Sequence, residues 1–166
     1  NHTKNGQGKL MFANGDVQEG NWEEDAMHGT GTYTYRDGDQ YSGSWLEGQK
    51  HGKGTFSSKA SGDVFTGDYQ YDRMHGKGVL KFGNGDKFIG DFKHDMMDGD
   101  GVLKYNNGDV YTGAFRQNLP HGEGKCLYHD GDIFTGNWEM GQKHGKGIFT
   151  LSDGVTVTKG RWEDDE

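Results

Sequence analysis

Three kinds of side chain that could do chemistry recur at fixed places in this 166-residue sequence. His28, His51, His75, His121 and His144 form the first series. Imidazoles invite a metal reading. Adjacent β-strands lie ~4.8 Å apart, so equivalent residues one hairpin on are ~10 Å apart. Zinc–nitrogen bonds are ~2.0 Å, so two such histidines cannot share one ion. The series reads as structural, each His fixing a loop by packing and hydrogen bonding. Asp16, Asp39, Asp63, Asp86, Asp109 and Asp132 form the second series, each beside a turn glycine. A catalytic pair needs two carboxylates at one unique place. Repetition in every unit points instead to turn capping, and no single turn gathers the carboxylates that Ca²⁺ would require. Paired Gly-x-Gly motifs form the third series. No Gly-rich run leads into a helix and the Lys-Ser/Thr of a phosphate loop is missing. Cys126 stands where neighbouring units have Leu103 and Phe149, so it reads as a small buried hydrophobe. No catalytic residue, metal site or cofactor is expected.

The elements that would position these residues follow from the repeat. Gly15, Gly38, Gly62, Gly85, Gly108, Gly131 and Gly154 recur at intervals of 23 residues, with one interval of 24. Asn or Asp precedes each except Gly62, and Asp follows each except Gly154. Asn-Gly and Asp-Gly are strong signals of tight hairpin turns. Three residues on stand Tyr41, Phe65, Phe88, Tyr111 and Phe134. Seven residues on stand Trp22, Trp45, Tyr69, Phe92, Phe115 and Trp138, with a Gly between the two rings. A five-residue loop follows, such as Leu46 to Lys50, and then a second strand with Gly-x-Gly and alternating apolar residues such as Tyr33 and Tyr35. The period of two puts both rings and the Gly on one face. Residues such as Thr32, Ser42, Thr66 and Lys104 take the other face, with Ile89 and Ile133 as exceptions. Gly inside a strand marks close approach, here space for a ring to lie flat on its neighbour.

Composition limits the function classes. Only 30% of the residues are hydrophobic, and the net charge is −8, a balance that suggests disorder. The 13% of aromatic residues and the periodic glycines oppose that reading. The acidic balance argues against nucleic acid, whose phosphates need clustered positive charge, and weakens a claim for anionic lipid. One cysteine allows no intramolecular disulfide and favours a reducing, intracellular and cytoplasmic setting. No apolar run approaches the ~18 residues of a membrane span.

These residues resemble the MORN (membrane occupation and recognition nexus) repeat family. Its pattern, Gly-x-x-Tyr-x-Gly-x-Trp-x-x-Gly-x-x-His-Gly-x-Gly, is matched closely from Gly131 through Trp138, Gly141, His144-Gly145 and Gly147. Choline- and glucan-binding repeats, also short and aromatic, lack His-Gly-x-Gly. Departures are local: Gln18 and Val157 replace the first ring in the terminal units, and Asp98 replaces the loop His. The expected fold is all-β, an elongated single-layer antiparallel sheet of stacked hairpins. Roughly fourteen strands at ~4.8 Å each would span ~65 Å. One array is expected over residues 1–166, with about six full repeats and partial ends. Both ends align with the same loop, Asn1 to Lys4 with Glu24 to Met27 and Glu163 to Glu166 at the far end, as in a fragment of a longer array.

A single-layer sheet has only its own curvature to cover the aromatic face, so its rings are expected to stay partly exposed in a groove. Trp45, Phe65, Tyr69, Phe88, Phe92, Tyr111, Phe115, Phe134 and Trp138 are the candidate partner site. Exposed contiguous apolar surface marks such sites, and a groove suits an extended peptide or an amphipathic helix. Met27, Met74, Met96, Met97, Leu119 and Met140 are a second candidate, gathered in the loops on one edge. The resemblance implies a non-catalytic scaffold for protein interaction at cytoskeletal, ciliary or membrane-associated structures. Self-association into a homodimer is expected through unpaired strand edges or the Met-lined loops. Phosphoinositide or other phospholipid binding is the alternative; Lys77, Lys81, Lys87, Lys93 and Lys104 could make a basic patch for it. A targeting role beside an enzyme domain outside this sequence is a further alternative. Elemental analysis is expected to find no stoichiometric zinc or iron; bound metal that is lost on His75→Ala would overturn the structural reading of the histidines.

Overall fold

A computed structural model describes residues 3–155, 157–163 and 165. Asn1, His2, Asp164 and Glu166, in the terminal loops singled out above, lie outside the described residues, as does Thr156. The chain divides into two compact units, Asn1–Asn84 and Gly85–Glu166. The first holds β1 (Gly6–Met11), β2 (Val17–Glu23), β3 (Ala26–Thr34), β4 (Gln40–Leu46), β5 (Gln49–Ser57), β6 (Val64–Gln70) and β7 (Arg73–Lys81). The second holds β8 (Lys87–Lys93), β9 (Met96–Lys104), β10 (Val110–Arg116), β11 (Leu119–Leu127), β12 (Ile133–Glu139), β13 (Gln142–Thr150) and β14 (Val157–Trp162). Within each unit every strand pairs antiparallel with its neighbours in chain order. The protein is all-β, stacked hairpins in antiparallel sheet, with no helix among the described residues. No helix is therefore long and apolar enough to cross a membrane.

The two kinds of connection are reversed relative to the sequence expectation. The tight turns have two residues and lie where the five-residue loops were placed. At Glu24 and Asp25 φ is 48° and 68°, and Gln117 and Asn118 have 49° and 71°. Positive φ at both central positions is type I′ geometry, whose twist matches that of the flanking strands. The Asn-Gly sites are instead five-residue connections. From Phe12 to Asp16, Phe12 N–H donates to the Asp16 carbonyl at 2.9 Å and Gly15 N–H to the Phe12 carbonyl at 3.0 Å. The one extra residue near Ser61 is absorbed there, with Ser58 N–H bonded to the Asp63 carbonyl at 2.8 Å.

A bulge follows each tight turn. Trp22 pairs with Met27 and Gly20 with Gly31, so His28, Gly29 and Thr30 share the place opposite Asn21. Gly29 has φ 71°. The first Gly of Gly-x-Gly is therefore a left-handed bulge residue rather than a plain strand position, and bulges bend and twist a strand.

The second Gly does different work. Gly8, Gly20, Gly31, Gly43, Gly54 and Gly67 pair in series across the first unit. Gly90, Gly101, Gly113, Gly124, Gly136, Gly147 and Gly160 do so across the second. The first-strand ring lies on this line. A Cβ placed on Gly54 would stand 2.5 Å from Tyr41 Cε2, and one on Gly124 2.6 Å from Tyr111 Cε2. Where Gln18 replaces the ring, Met27 fills the space, its Cε 2.8 Å from a Cβ placed on Gly20.

The rings then meet edge to face. Phe88 packs on Phe92 and Phe115, Tyr111 on Phe115 and Trp138, and Phe134 on Trp138 and Trp162, at centroid distances of 4.8–5.4 Å and interplanar angles of 74–88°. Tyr41 makes the same contacts with Trp45 and Tyr69. Such pairs add ~0.5–1.5 kcal/mol each beyond burial. Tyr41 and Tyr111 donate their hydroxyls to the carbonyls of Ser44 and Ala114 at 2.9 Å, within the register shifts at Gly43/Trp45 and Gly113/Phe115.

Side-chain oxygens of Asp and Asn staple successive hairpins at both edges. Asp39 Oδ1 accepts from Lys59 N–H, Asp86 Oδ1 from Asn106 N–H and Asp132 Oδ1 from Ser152 N–H, each at 2.8 Å. The Asp series thus caps the next repeat's connection, about one repeat away, while Asp16 and Asp109 also accept from Asn14 and Asn107 of their own. At the tight-turn edge Asp72 accepts from Lys50 N–H and Asn118 from Met97 N–H, both at 2.8 Å. At the next step Gly141 replaces that acceptor and Pro120 replaces the donor, leaving the Gly141 N–H to Pro120 carbonyl bond at 2.9 Å.

Two predictions follow from this packing. A Cβ on Gly136 would stand 2.6 Å from Gly147 Cα and 2.8 Å from Phe134 Cζ, whereas one on Gly160 meets nothing within 4 Å. Gly136→Ala is expected to cost about 1–3 kcal/mol and Gly160→Ala close to nothing, as read by urea denaturation. Burial pushes the Tyr41 hydroxyl up to about 12, while an unfolded tyrosine ionises near ~10. The folded state holds that proton longer, so its stabilisation is full below pH ~10 and is lost as pH rises toward ~12. Denaturation midpoints should fall over that window, and less steeply in Tyr41→Phe.

Candidate interaction surfaces

The expected groove of partly exposed rings is corrected by burial. Trp45, Phe65, Tyr69, Phe88, Phe92, Tyr111, Phe115, Phe134 and Trp138 are all buried, none more than 8% exposed. The glycine line lets each first-strand ring sink onto the backbone, and the second ring of the next repeat closes over it. These residues are the core.

The accessible part of the aromatic face belongs to the second strands and to the first residue of the connections that follow them. Tyr33, Tyr35 and Phe56 in the first unit, and Tyr105, Tyr128 and Phe149 in the second, are half-buried. The glycine seats explain the height. Tyr41 leans over Gly43 and Gly54 and Phe65 over Gly67, while their register partners Tyr33 and Phe56 pack beside these rings rather than on the glycine line. Sequence spacing alone does not separate the two, since Tyr41-x-Gly43 and Gly54-x-Phe56 both set a ring two residues from a glycine.

Polar groups are set into this rim. Tyr33 donates to Asp16 Oδ2 at 2.7 Å, and Arg36 N–H donates to Asp16 Oδ1 at 2.9 Å. The Tyr33 bond, with the Arg36 amide next, holds the Asp16 carboxyl below its usual range. Burial first, then Asp16, pushes Tyr33 up to about 12. Lys50 Nζ sits 5.2–5.5 Å from the centroids of Tyr41, Tyr35 and Phe56. Lys143 Nζ repeats this over Trp162 at 4.6 Å, Phe149 at 5.7 Å and Phe134 at 5.8 Å. Burial raises the Cys126 thiol to about 11. It is a buried thiol with little thiolate character.

The Met-lined edge is also redistributed. Met27, Met74 and Met97 are strand residues opposite Trp22, Tyr69 and Phe92. Met27 and Met97 are buried, Met74 and Met96 half-buried, and Leu119 and Met140 exposed. Because the turns have two residues, most of these side chains fall inside strands; Met140 alone among the six occupies a turn. His28 and His144 face Glu23 and Glu139 across their turns at 3.5 and 3.4 Å. Among the described residues no group of three or more His, Cys, Asp or Glu could hold a metal ion.

The opposite face is polar. Two side-chain rows flank the glycine line and leave a channel above it. In the second unit this open channel has a volume of about 720 Å³ between Thr112 and Gly160, and in the first about 430 Å³ between Gln7 and Gly43.

Comparison with known proteins agrees with this geometry. A fold search finds the TCP domain of SAS-4 from Drosophila melanogaster, solved in complex with a proline-rich motif of Ana2, at 15% identity and TM-score 0.57, covering 95% of this chain and 84% of that one. It also finds the TCP10c domain of Drosophila melanogaster Sas-4, at 14% identity and TM-score 0.52 over 95% and 93% of the chains. The G-box domain of the microcephaly protein CPAP, for which a role in centriole elongation is suggested, aligns at 18% identity and TM-score 0.51 over 95% and 100%. At these identities the likeness is one of fold. A search of the curated proteins gives no significant sequence match. The MORN repeat model matches residues 1–17, 19–40, 41–61, 65–87, 88–110, 111–133 and 134–156. Seven matches in phase with the ring-on-glycine hairpins span nearly the whole sequence, and the chain belongs to the MORN repeat family.

Proposed function

We propose that this chain is a non-catalytic scaffold for protein interaction, with an extended partner segment lying on the half-buried rings at the ends of the second strands on its aromatic face. The observation that carries this reading is the rim itself. Tyr33, Tyr35 and Phe56 remain half-buried above a closed core, as do Tyr105, Tyr128 and Phe149. Rings with one face buried and the other open suit proline-rich segments, which dock in aromatic-lined grooves at little entropic cost. Support comes from the SAS-4 domain of the same fold, solved with a proline-rich motif. A setting at cytoskeletal assemblies belongs to the same proposal and rests on the centriolar context of the CPAP G-box domain.

The test separates rim from core. A labelled oligoproline peptide is titrated into the full chain and followed by fluorescence anisotropy. Tyr35→Ser with Phe56→Ser, and separately Tyr128→Ser, should weaken binding about tenfold or more while denaturation midpoints move little. Phe88→Ala is the core control and should cost about 3–5 kcal/mol of stability. Unchanged affinity in the rim variants, or no binding by the parent chain, would remove the aromatic face as the site.

A further inference from the structure

We propose that the polar channel over β10–β14 is a second docking groove, on the face opposite the rim, and that it takes a short extended acidic segment of a partner protein. The floor is the glycine line from Gly113 to Gly160. One wall runs through Lys125, Thr135, Ile148 and Lys159, which are successive register partners. The other wall holds Glu123, Asn137 and Lys146, with Arg161, the register partner of Lys146, just outside the lining. Cations therefore stand on both sides of the floor.

These cations lack anions of their own. Among the described residues no carboxylate lies within ion-pairing distance of Lys125, Lys146, Lys159 or Arg161. The same face of the first unit is different: Lys9 pairs with Glu19 at 3.2 Å and Lys53 with Asp68 at 2.7 Å. Three unpaired lysines in the channel, with Arg161 beside it, repel each other, and that repulsion is relieved by a bound anion. Glu123 is the one acid in the lining.

The surroundings select the kind of anion. The second unit carries fifteen Asp and Glu against nine Lys and Arg. A long polyanion or a charged membrane surface would meet this acidic exterior. A short segment held inside the channel would not. The channel crosses five strands, roughly 19 Å at ~4.8 Å per strand, which about six extended residues span. Thr112, Thr135 and Asn137 offer hydrogen bonds to such a backbone, and Ile148 offers an apolar contact.

The experiment uses the full chain and a fluorescein-labelled oligo-glutamate peptide of about six residues, read by anisotropy at low ionic strength. Binding is expected, and it should weaken as salt screens the charges. Lys125→Glu with Lys146→Glu should weaken it at least about tenfold, while Lys9→Glu, on the same face of the first unit, should not. If the double variant loses its cooperative unfolding transition, Lys125→Gln with Lys146→Gln replaces it, with amide shifts at Thr135 and Asn137 as the second readout. Unchanged affinity in the folded variant, or shifts elsewhere, would overturn the proposal. So would vesicles of phosphatidylserine and phosphatidylcholine that bind more tightly than the peptide and are released by the same variants. The rim variants leave this binding intact, so failure here is distinct from failure of the aromatic-face reading.

Discussion

Contact between a ring and a bare backbone governs this architecture. Tyr41 could not lie where it does if Gly54 carried a Cβ, and Tyr111 stands in the same relation to Gly124. An ordinary sheet needs a second layer to bury one face. Here the layer is supplied from within the strand, since a ring laid flat over two glycines covers backbone and is covered by the next repeat's ring. That is how a chain with only 30% hydrophobic residues hides its large side chains. Stability then accrues between nearest neighbours, as in other repeat arrays. The first repeat shows that filling the space matters more than aromaticity. With Gln18 in place of the ring, Met27 reaches the same glycines and is fully buried.

Much of this was legible in spacing alone. The 23-residue period, the two faces and the glycine seats for rings all follow from alternation and recurrence. What could not be read was which connection is tight. Asn-Gly is the stronger turn signal, yet it lies in five-residue connections, where a single glycine such as Gly15 has positive φ. The two-residue turns use pairs such as Glu24-Asp25 and Tyr71-Asp72. Their second residue is Asp, Asn or Gly throughout the series, for two separate reasons. These types tolerate positive φ. Asp72 and Asn118 also accept from the preceding repeat's backbone. A pattern serving tertiary bonding does not show as a turn signal in a local window.

The candidate site failed in the sequence for a related reason. Aromatic residues in both strands look alike by type, and the single-layer argument treated the face as uniformly open. Depth is decided by which ring takes the glycine seat. Phe88 lies over Gly90 and Gly101 and sinks, whereas Tyr33, beside the seated Tyr41, stands half out. Register partners had to be known to the residue before core could be told from rim, and the bulge after each turn shifts that register by more than the period of two can reveal.

The two faces therefore evolve under different constraints. A substitution on the aromatic face must satisfy the ring-on-glycine packing first, so the freedom to vary is confined to half-buried positions such as Tyr35, Phe56 and Tyr128. The polar face has no such demand, because the glycine line shows it only backbone. Its side chains can change charge without altering the core, and the two units show this, with Lys53 neutralised by Asp68 in one and Lys125 left unpaired in the other. One repeat geometry can thus carry a fixed aromatic register for one kind of segment and a freely variable charge pattern for another. The channel floor remains the same because the core beneath it allows nothing larger than glycine.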